Sequence, residues 1–185
     1  MGKVLIQYYS ETDRTKQMAY LVSEGAAKLE GIEVRIKTIE ESTVEDIFWA
    51  DGIALGAPCH LASVPWRVKR FWDEIVGDAW GKIDGKIGYA FSSSGGLGGG
   101  SELTCMELLT IMMNYGMMVF GTTDYVAPMR TLHYDAAIPG APRTQEMKDI
   151  CIRLVQRLGE FVSFYVDGVE ASHPNNVSYE RFKNV

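Results

Sequence analysis

The sequence has no excess of basic residues, no long apolar run and no cysteine framework, and each absence excludes a class of protein. A net charge of −6 over 185 residues argues against non-specific nucleic-acid binding, which needs a basic surface to neutralise phosphates. Glycine or charge interrupts the apolar stretches within about ten residues, too short to span a bilayer, so no membrane insertion is expected. The three cysteines, Cys59, Cys105 and Cys151, are odd in number and far apart. They predict neither a disulfide framework nor a metal site.

No signal peptide is apparent either, because Met-Gly-Lys leads directly into a β-prone run without a small-residue cleavage site. With reduced thiols and an acidic balance, these features predict a cytoplasmic protein. Apolar residues make up 46% and charged residues 23% of the chain, which is ordinary for a globular protein. The length predicts one domain with a substantial core.

Strand and helix patterns alternate along the chain. Short apolar runs predict five strands, at residues 3–9, 32–39, 52–58, 86–94 and 117–122. Apolar residues at helical spacing predict helices between and after them, at residues 15–29, 43–50, 65–76, 101–116 and 144–166. Such an order predicts an α/β fold with a parallel sheet wrapped by helices. Residues 123–142 are predicted to be irregular. We assign 1–168 to one domain and 169–185 to a polar, irregular C-terminal tail.

Ligands of an open parallel sheet bind at the carboxyl ends of its strands, which makes three connections candidate site walls. We name them loop 1 (residues 10–15), loop 2 (58–63) and loop 3 (93–99). The candidates in loop 1 are Ser10, Glu11, Thr12, Asp13, Arg14 and Thr15. The three hydroxyls precede a helix whose N–H groups and dipole favour an anion. The two carboxylates oppose a phosphate and the arginine offsets them; a simple helix cap by Ser10 or Thr12 is the alternative.

Loop 1 has neither the GxxxxGK[ST] of a nucleoside triphosphate loop nor the GxGxxG of a dinucleotide site. Loop 2 begins with a Gly-Ala-Pro turn that is predicted to offer backbone groups to a flat ligand. Its candidates are Pro58, Cys59, His60, Leu61 and Ser63. A nucleophilic Cys59 beside His60 is disfavoured, because adjacent side chains rarely converge, and a structural thiol is preferred.

Loop 3 and the segment after it contain five glycines among residues 95–100. Glycine lets a backbone approach a ligand closely, although a flexible surface loop is the alternative. The candidates are Ser93, Ser94, Gly95, Gly96, Leu97, Gly98 and Gly99. Together the three loops predict a phosphate held by loop 1 and a planar ring between loops 2 and 3. Such a site suits a mononucleotide, and FMN best.

The segments "YYSETDRTKQMA" and "GAPCHLASVPWRVKRFWDEIVGDAWGKIDGKIGYAFSSSGGLGGGSELT" resemble the flavodoxin-like superfamily. The closest resemblance, over residues 3–166, is to the tryptophan-repressor-binding-protein-like NAD(P)H:quinone oxidoreductases, or multimeric flavodoxins. It implies a three-layer sandwich with helices on both faces of a five-stranded parallel sheet of order 2-1-3-4-5. It also implies FMN as cofactor, NADH or NADPH as electron donor and a quinone-type acceptor. The Met-rich fourth helix indicates a homo-oligomer, a dimer or a tetramer, and core packing of these methionines is the alternative.

The resemblance also implies a substrate pocket with Trp80, Tyr115 and His133. Trp80 matches a family aromatic, and a surface or core aromatic is the alternative. Tyr115 stands where the family often has histidine, and a solvated loop residue is the alternative for His133. Two further departures are Asp13 in place of glycine and Cys59-His60-Leu61 in place of Thr-Arg-Phe. An electron-carrier flavodoxin and a flavin-free binding protein on the same scaffold are the alternative functions.

Overall fold

Strands and helices alternate from the first residues of the chain. The computed structural model describes residues 1–122, 125–127, 130–131, 133–174 and 176. The strands are β1 Gly2–Tyr8, β2 Ile32–Thr38, β3 Gly52–Pro58, β4 Ile87–Ser94, β5 Met118–Val119, β6 Tyr125–Ala127, β7 Arg130–Thr131 and β8 Ala136–Pro139. The helices are α1 Arg14–Ala26, α2 Val44–Trp49, α3 Trp66–Glu74, α4 Val76–Ala79, α5 Ser101–Asn114 and α6 Gln145–Tyr165. A 3₁₀ turn, Glu170–Ser172, follows α6.

The main sheet has the order β2-β1-β3-β4-β5 with parallel pairing, which confirms the predicted topology. β8 also pairs with β4 in parallel, opposite residues 91–94, whereas β5 pairs with residues 87–88. Since β3 occupies the other edge of β4, β5 and β8 are two halves of one interrupted edge strand. The prediction that 123–142 is irregular was therefore wrong at β8, which is too short to show a period. It was also wrong at β6 and β7, which pair with each other in antiparallel orientation. Residues 123, 124, 128, 129 and 132 lie outside the described part of the chain.

Two apolar cores, one on each face of the sheet, follow from the alternation of side chains along a strand. In β1, Val4 and Ile6 pack towards α1 and α6. Leu5 points to the other face, where α2, α3, α4 and α5 pack. Gly56 of β3 lies opposite Phe91 of β4; a Cβ there would come 2.1 Å from the phenyl ring, so glycine is required.

Local sequence signals account for the starts of α2, α3 and α6. Thr43 and Asp46 form a capping box at α2, as the predicted N-cap requires. Pro65 opens α3, but the predicted single helix divides at Ile75 into α3 and the short α4. Thr144 caps α6 by accepting a hydrogen bond from the Met147 N–H at 3.2 Å.

The start of the chain is tied to the segment after α6. The Asp167 carboxylate accepts hydrogen bonds from the terminal amine of Met1 and from the Gly2 N–H, both at 2.8 Å. The predicted irregular tail contains the 3₁₀ turn, and its last residues, 177–185, lie outside the described residues. Within the described ranges, no helix combines the length and the hydropathy needed to cross a membrane.

Candidate functional site

Loops 1, 2 and 3 lie side by side because β1, β3 and β4 are neighbours and point the same way. The Thr15 and Ser93 hydroxyls, both buried, are 2.9 Å apart and join loop 1 to loop 3. The Cys59 N–H donates to the Ser93 carbonyl at 2.7 Å and joins loop 2 to loop 3. His60 Nε2 and a Glu11 carboxylate oxygen are 3.8 Å apart across loops 2 and 1. The structure thus brings the three predicted loops into one cross-linked rim.

Loop 1 turns into α1 through Asp13, which has φ 60° in the left-handed region. Aspartate tolerates this conformation better than most residues, which explains how it can replace the glycine of the family. The Asp13 side chain is 73% exposed and lies 3.9 Å from the Lys16 ammonium. Its carboxylate is therefore directed to solvent and partly offset by a cation.

The amino end of α1 offers several free donors. Ser10 Oγ accepts from the Lys16 N–H at 3.2 Å, and the Asp13 carbonyl accepts from the Gln17 N–H at 3.0 Å. Among the described residues, no acceptor takes the N–H groups of residues 11–15. The first turn of α1 also contains no acidic residue. Free N–H groups at a positive helix end form an anion site, so the loop fits a phosphate.

Loop 2 is a tight turn in a costly conformation. Leu61 and Ala62 both have positive φ, 49° and 69°, which costs about 1–2 kcal/mol for each residue that is not glycine. The turn is closed by hydrogen bonds from the His60 N–H to the Ser63 carbonyl, at 2.9 Å, and from the Ser63 N–H to the His60 carbonyl, at 3.2 Å. The Leu61 side chain is 91% exposed at the tip. Such backbone strain is a frequent property of ligand sites.

Glu107 in α5 anchors the far side of loop 2. One carboxylate oxygen, Oε2, accepts from the Val64 N–H at 2.7 Å and from the Ser63 hydroxyl at 2.9 Å. The Ser63 hydroxyl is therefore directed to α5. Sequence reasoning missed Glu107, because one glutamate on a helix gives no local sign of a distant partner.

Loop 3 offers open backbone. A Cβ built on Gly95 or Gly96 would meet no atom within 4 Å, and Leu97 is 93% exposed. The lower part of the loop is tight, because the Ser94 hydroxyl donates to the Gly96 carbonyl at 2.8 Å and a Cβ on Gly99 would come 2.8 Å from that same carbonyl. Glycine thus supplies a firm base and an uncovered upper surface, which fits a flat ring.

A fourth segment reaches the same edge of the sheet, and sequence reasoning did not find it. The Gly140 N–H, directly after β8, donates to the Ser94 carbonyl at 2.9 Å. Gly140 has φ 78°, so the chain turns there beside loop 3. The segment was missed because β8 itself was missed.

Trp80 and Tyr115 lie at the other end of the sheet within this chain. Their rings are 5.9 Å apart, and the Tyr115 hydroxyl donates to the Trp72 carbonyl. Gly116, the next residue, accepts from the Gly85 N–H at 3.0 Å, just before β4 begins. β4 has eight residues, so the two ends are about 23 Å apart at a rise of about 3.3 Å per residue. The prediction that Trp80 and Tyr115 line a substrate pocket together with loops 1–3 is not tested by this geometry and stays a prediction.

His133 lies at the interrupted edge strand. Its Nδ1 is 2.8 Å from the Thr122 carbonyl, and its side chain is exposed. Three residues later β8 begins opposite Phe91, in the middle of β4. His133 therefore lies beside the edge of the sheet, between its amino and carboxyl ends. Its contact with a substrate also stays a prediction.

Asp135 completes the sheet where the edge strand is interrupted. Its Oδ2 accepts at 3.1 Å from the N–H of Ala90, which lies between the residues paired with β5 and those paired with β8. Burial raises the pKa of the Asp135 carboxyl well above its usual range. Burial likewise raises the pKa of the neighbouring Tyr89 and Cys105. Burial and the hydrogen bond to Ala90 give Asp135 a structural role in the sheet.

No cluster of three or more metal-ligating side chains occurs in the described part of the chain. A family model described as NADPH-dependent FMN reductase matches residues 10–131, more than half of the sequence. The chain belongs to this family. The match includes loops 1, 2 and 3, and this FMN-binding, flavodoxin-like family confirms the resemblance derived from the sequence.

The relatives of this chain include proteins named flavodoxin and proteins named NAD(P)H dehydrogenase (quinone). A flavodoxin of Aquifex aeolicus is 56% identical over 168 residues, 91% of each chain. An NAD(P)H dehydrogenase (quinone) of Rhizobium rhizogenes is 34% identical over 143 residues, 65% of this chain and 71% of the relative. Among solved structures, the flavodoxin, WrbA-like protein from Agrobacterium tumefaciens has a TM-score of 0.71 at 20% identity. The superposition covers 88% of this chain and 98% of the Agrobacterium protein, and it shows that the two share a fold.

Proposed function

We propose that this flavoprotein-family member is an FMN-dependent oxidoreductase that transfers two electrons from NADH or NADPH to a quinone-type acceptor. The proposal is supported by the family of NADPH-dependent FMN reductases and by relatives named NAD(P)H dehydrogenase (quinone). The observation that carries it is the open surface above Gly95 and Gly96. A second flat molecule can reach a ring held there.

The phosphate of FMN is assigned to loop 1. The N–H groups of residues 11–15 are free to donate to it, and the Thr12 hydroxyl lies among them. Ser10 uses its oxygen to accept from Lys16, which leaves its own hydroxyl proton available to the phosphate. Arg14, at the first position of α1, adds positive charge beside the dianion.

The flavin ring is assigned to the space between loops 2 and 3. When bound, FMN supplies the hydride-accepting and electron-donating chemistry. The chain orients the ring with the backbones of residues 59–62 and 94–97, and the exposed Leu61 and Leu97 side chains supply apolar contact at its border. Backbone N–H groups in loops 2 and 3 are positioned to stabilise negative charge on the reduced ring.

Steady-state oxidation of NADH and NADPH by the FMN-loaded protein tests this function, with a benzoquinone as acceptor. We expect turnover that saturates with both the nicotinamide and the quinone. A loaded protein that shows no quinone-dependent oxidation of either nucleotide would contradict the proposal while leaving FMN binding intact.

A single-electron carrier is the second candidate, and the 56% identity to a protein named flavodoxin favours it. A carrier exchanges electrons with protein partners and needs no nicotinamide site. Stopped-flow mixing with NADPH separates the two: direct reduction of the flavin supports the reductase, and reduction only through an added reductase protein supports the carrier.

A homo-oligomer and a cytoplasmic location remain proposals. Exposed apolar side chains on α5, Leu103, Met106 and Met113, are 63%, 43% and 46% exposed and support an interface between copies. Light scattering of the purified protein tests the assembly, and a monomer at micromolar concentration would contradict it.

A further inference from the structure

The shape of loop 2 is maintained by the two hydrogen bonds between His60 and Ser63 and by contacts outside the turn. Leu61 and Ala62 adopt left-handed conformations, yet both side chains are exposed and provide no packing to stabilise them. The Cys59 N–H ties the near side to β4, through the Ser93 carbonyl at 2.7 Å. A contact on the far side is needed to fix the closed turn to the rest of the fold at both of its ends.

The Glu107 carboxylate is the contact that holds this far side. Oε2 accepts from both the Ser63 hydroxyl and the Val64 N–H, at 2.9 and 2.7 Å. A charged acceptor makes stronger hydrogen bonds than a neutral one. Glu107 itself lies in the second turn of α5, on a helix that packs against β3 and β4. The turn is therefore fixed to the rigid part of the fold on both sides.

We propose that Glu107 is a positioning residue that keeps loop 2 in the conformation that receives the flavin ring. This inference rests on the proposed function, because it takes FMN as the ligand. The residue acts through Ser63 and Val64 and does not touch the cofactor. A loop already ordered before binding loses less conformational entropy when the ligand arrives, so Glu107 increases affinity without adding a contact.

The test compares Glu107→Ala, Glu107→Gln and a matched control, Glu24→Gln, an exposed glutamate on α1 with no hydrogen bond among the described residues. FMN and riboflavin dissociation constants are measured by quenching of flavin fluorescence. We expect Glu107→Ala to weaken both ligands by at least about tenfold and by the same factor, because loop 2 contacts the ring and not the phosphate. Glu107→Gln retains one acceptor oxygen and should lose less, and the control should not change.

Hydrogen exchange of the flavin-free protein supplies a second readout. The Val64 amide should exchange faster in Glu107→Ala, whereas amides of β1 and β3 keep their protection. If Glu107→Ala does not fold, Glu107→Gln decides, because it preserves size and one acceptor. Faster exchange at Val64 together with an unchanged FMN affinity would overturn the positioning role and leave the proposed function standing. A wild-type protein that binds no FMN would overturn both.

Discussion

The carboxyl end of the sheet and its amino end differ in what they expose and in what they bury. At the carboxyl end the loop tips Leu61 and Leu97 are 91% and 93% exposed, above a base of polar contacts. At the amino end Trp72 is only 1% exposed and packs against Tyr115, with ring centroids 5.4 Å apart. The carboxyl end thus leaves its apolar loop tips uncovered, whereas the amino end buries Trp72 and Tyr115 and exposes Trp80 at its border.

The backbone shows the same contrast. Asp13, Leu61 and Ala62, three of the four non-glycine residues with positive φ among the described residues, belong to the loops at the carboxyl end. Their exposed side chains make no packing contacts that would offset the cost of these conformations, so the fold alone does not account for them. The comparison indicates that the carboxyl end is shaped for a ligand and the amino end for stability.

The largest expected effect is a loss of stability from a substitution at the amino end of the sheet. Trp72→Ala should lower the free energy of unfolding by about 3–5 kcal/mol, because it empties a buried aromatic site. Urea denaturation measures this, and at a temperature where the variant is folded its FMN affinity should match that of the wild type. A strong loss of FMN affinity in the folded variant would contradict the assignment of the ligand to the carboxyl end alone.

Trp80→Ala is the control for this change. Trp80 is 58% exposed, so its truncation should change stability by no more than about 0.5 kcal/mol. Quinone kinetics add a test of its predicted pocket role: a raised KM for the quinone would support that role, and unchanged kinetics would contradict it.

The second largest effect is expected at the carboxyl end. Thr15→Val removes one member of the buried hydroxyl pair and leaves Ser93 Oγ without that partner, at a cost of about 1–3 kcal/mol. Because the pair joins loops 1 and 3, FMN affinity should fall about tenfold or more, as titration would show. Thr110→Val, on an exposed face of α5, is the control and should bind FMN normally.

Much of the site's location could be predicted from the sequence, because local patterns encode it. The continuous apolar run of β3 and the hydroxyls of loop 1 are each encoded by neighbouring residues. The predicted turn at Gly56-Ala57-Pro58 was wrong, because these residues end β3 and pair with β4, and the turn lies at Leu61 and Ala62. Glu107 and Asp135 could not be predicted, since each acts on a backbone N–H more than forty residues away. β8 was missed for a related reason: its four residues are defined by pairing with β4.

A smaller effect is expected from the charge in loop 1. Asp13→Asn removes a carboxylate beside the predicted phosphate while keeping a residue that tolerates the left-handed conformation. FMN should bind more tightly, on the order of 3–10-fold at low salt, and the gain should shrink as salt screens the charge. Titrations at two ionic strengths measure this. Unchanged or weaker binding at low salt would place the phosphate elsewhere.

Asp135→Asn should have the smallest effect near about pH 4, where the raised pKa leaves the wild-type carboxyl uncharged as well. The raised pKa means that the folded state holds this proton more tightly than the unfolded chain, whose carboxyl titrates near about pH 4. Wild-type stability from this group is therefore greatest below that pH and falls as pH rises towards the folded-state pKa. The variant retains an acceptor for the Ala90 N–H and cannot ionise, so its denaturation midpoint should depend less on pH than that of the wild type as the pH rises above about 4. Equal pH profiles would contradict this assignment.

The most direct test of the ligand site is a titration of the purified protein with FMN and, separately, with riboflavin, which has the same ring without the phosphate. If loop 1 holds the phosphate and loops 2 and 3 hold the ring, FMN should bind at one per chain and riboflavin far more weakly. Equal affinity for the two would contradict the role of loop 1, and no retention of FMN would contradict the site itself.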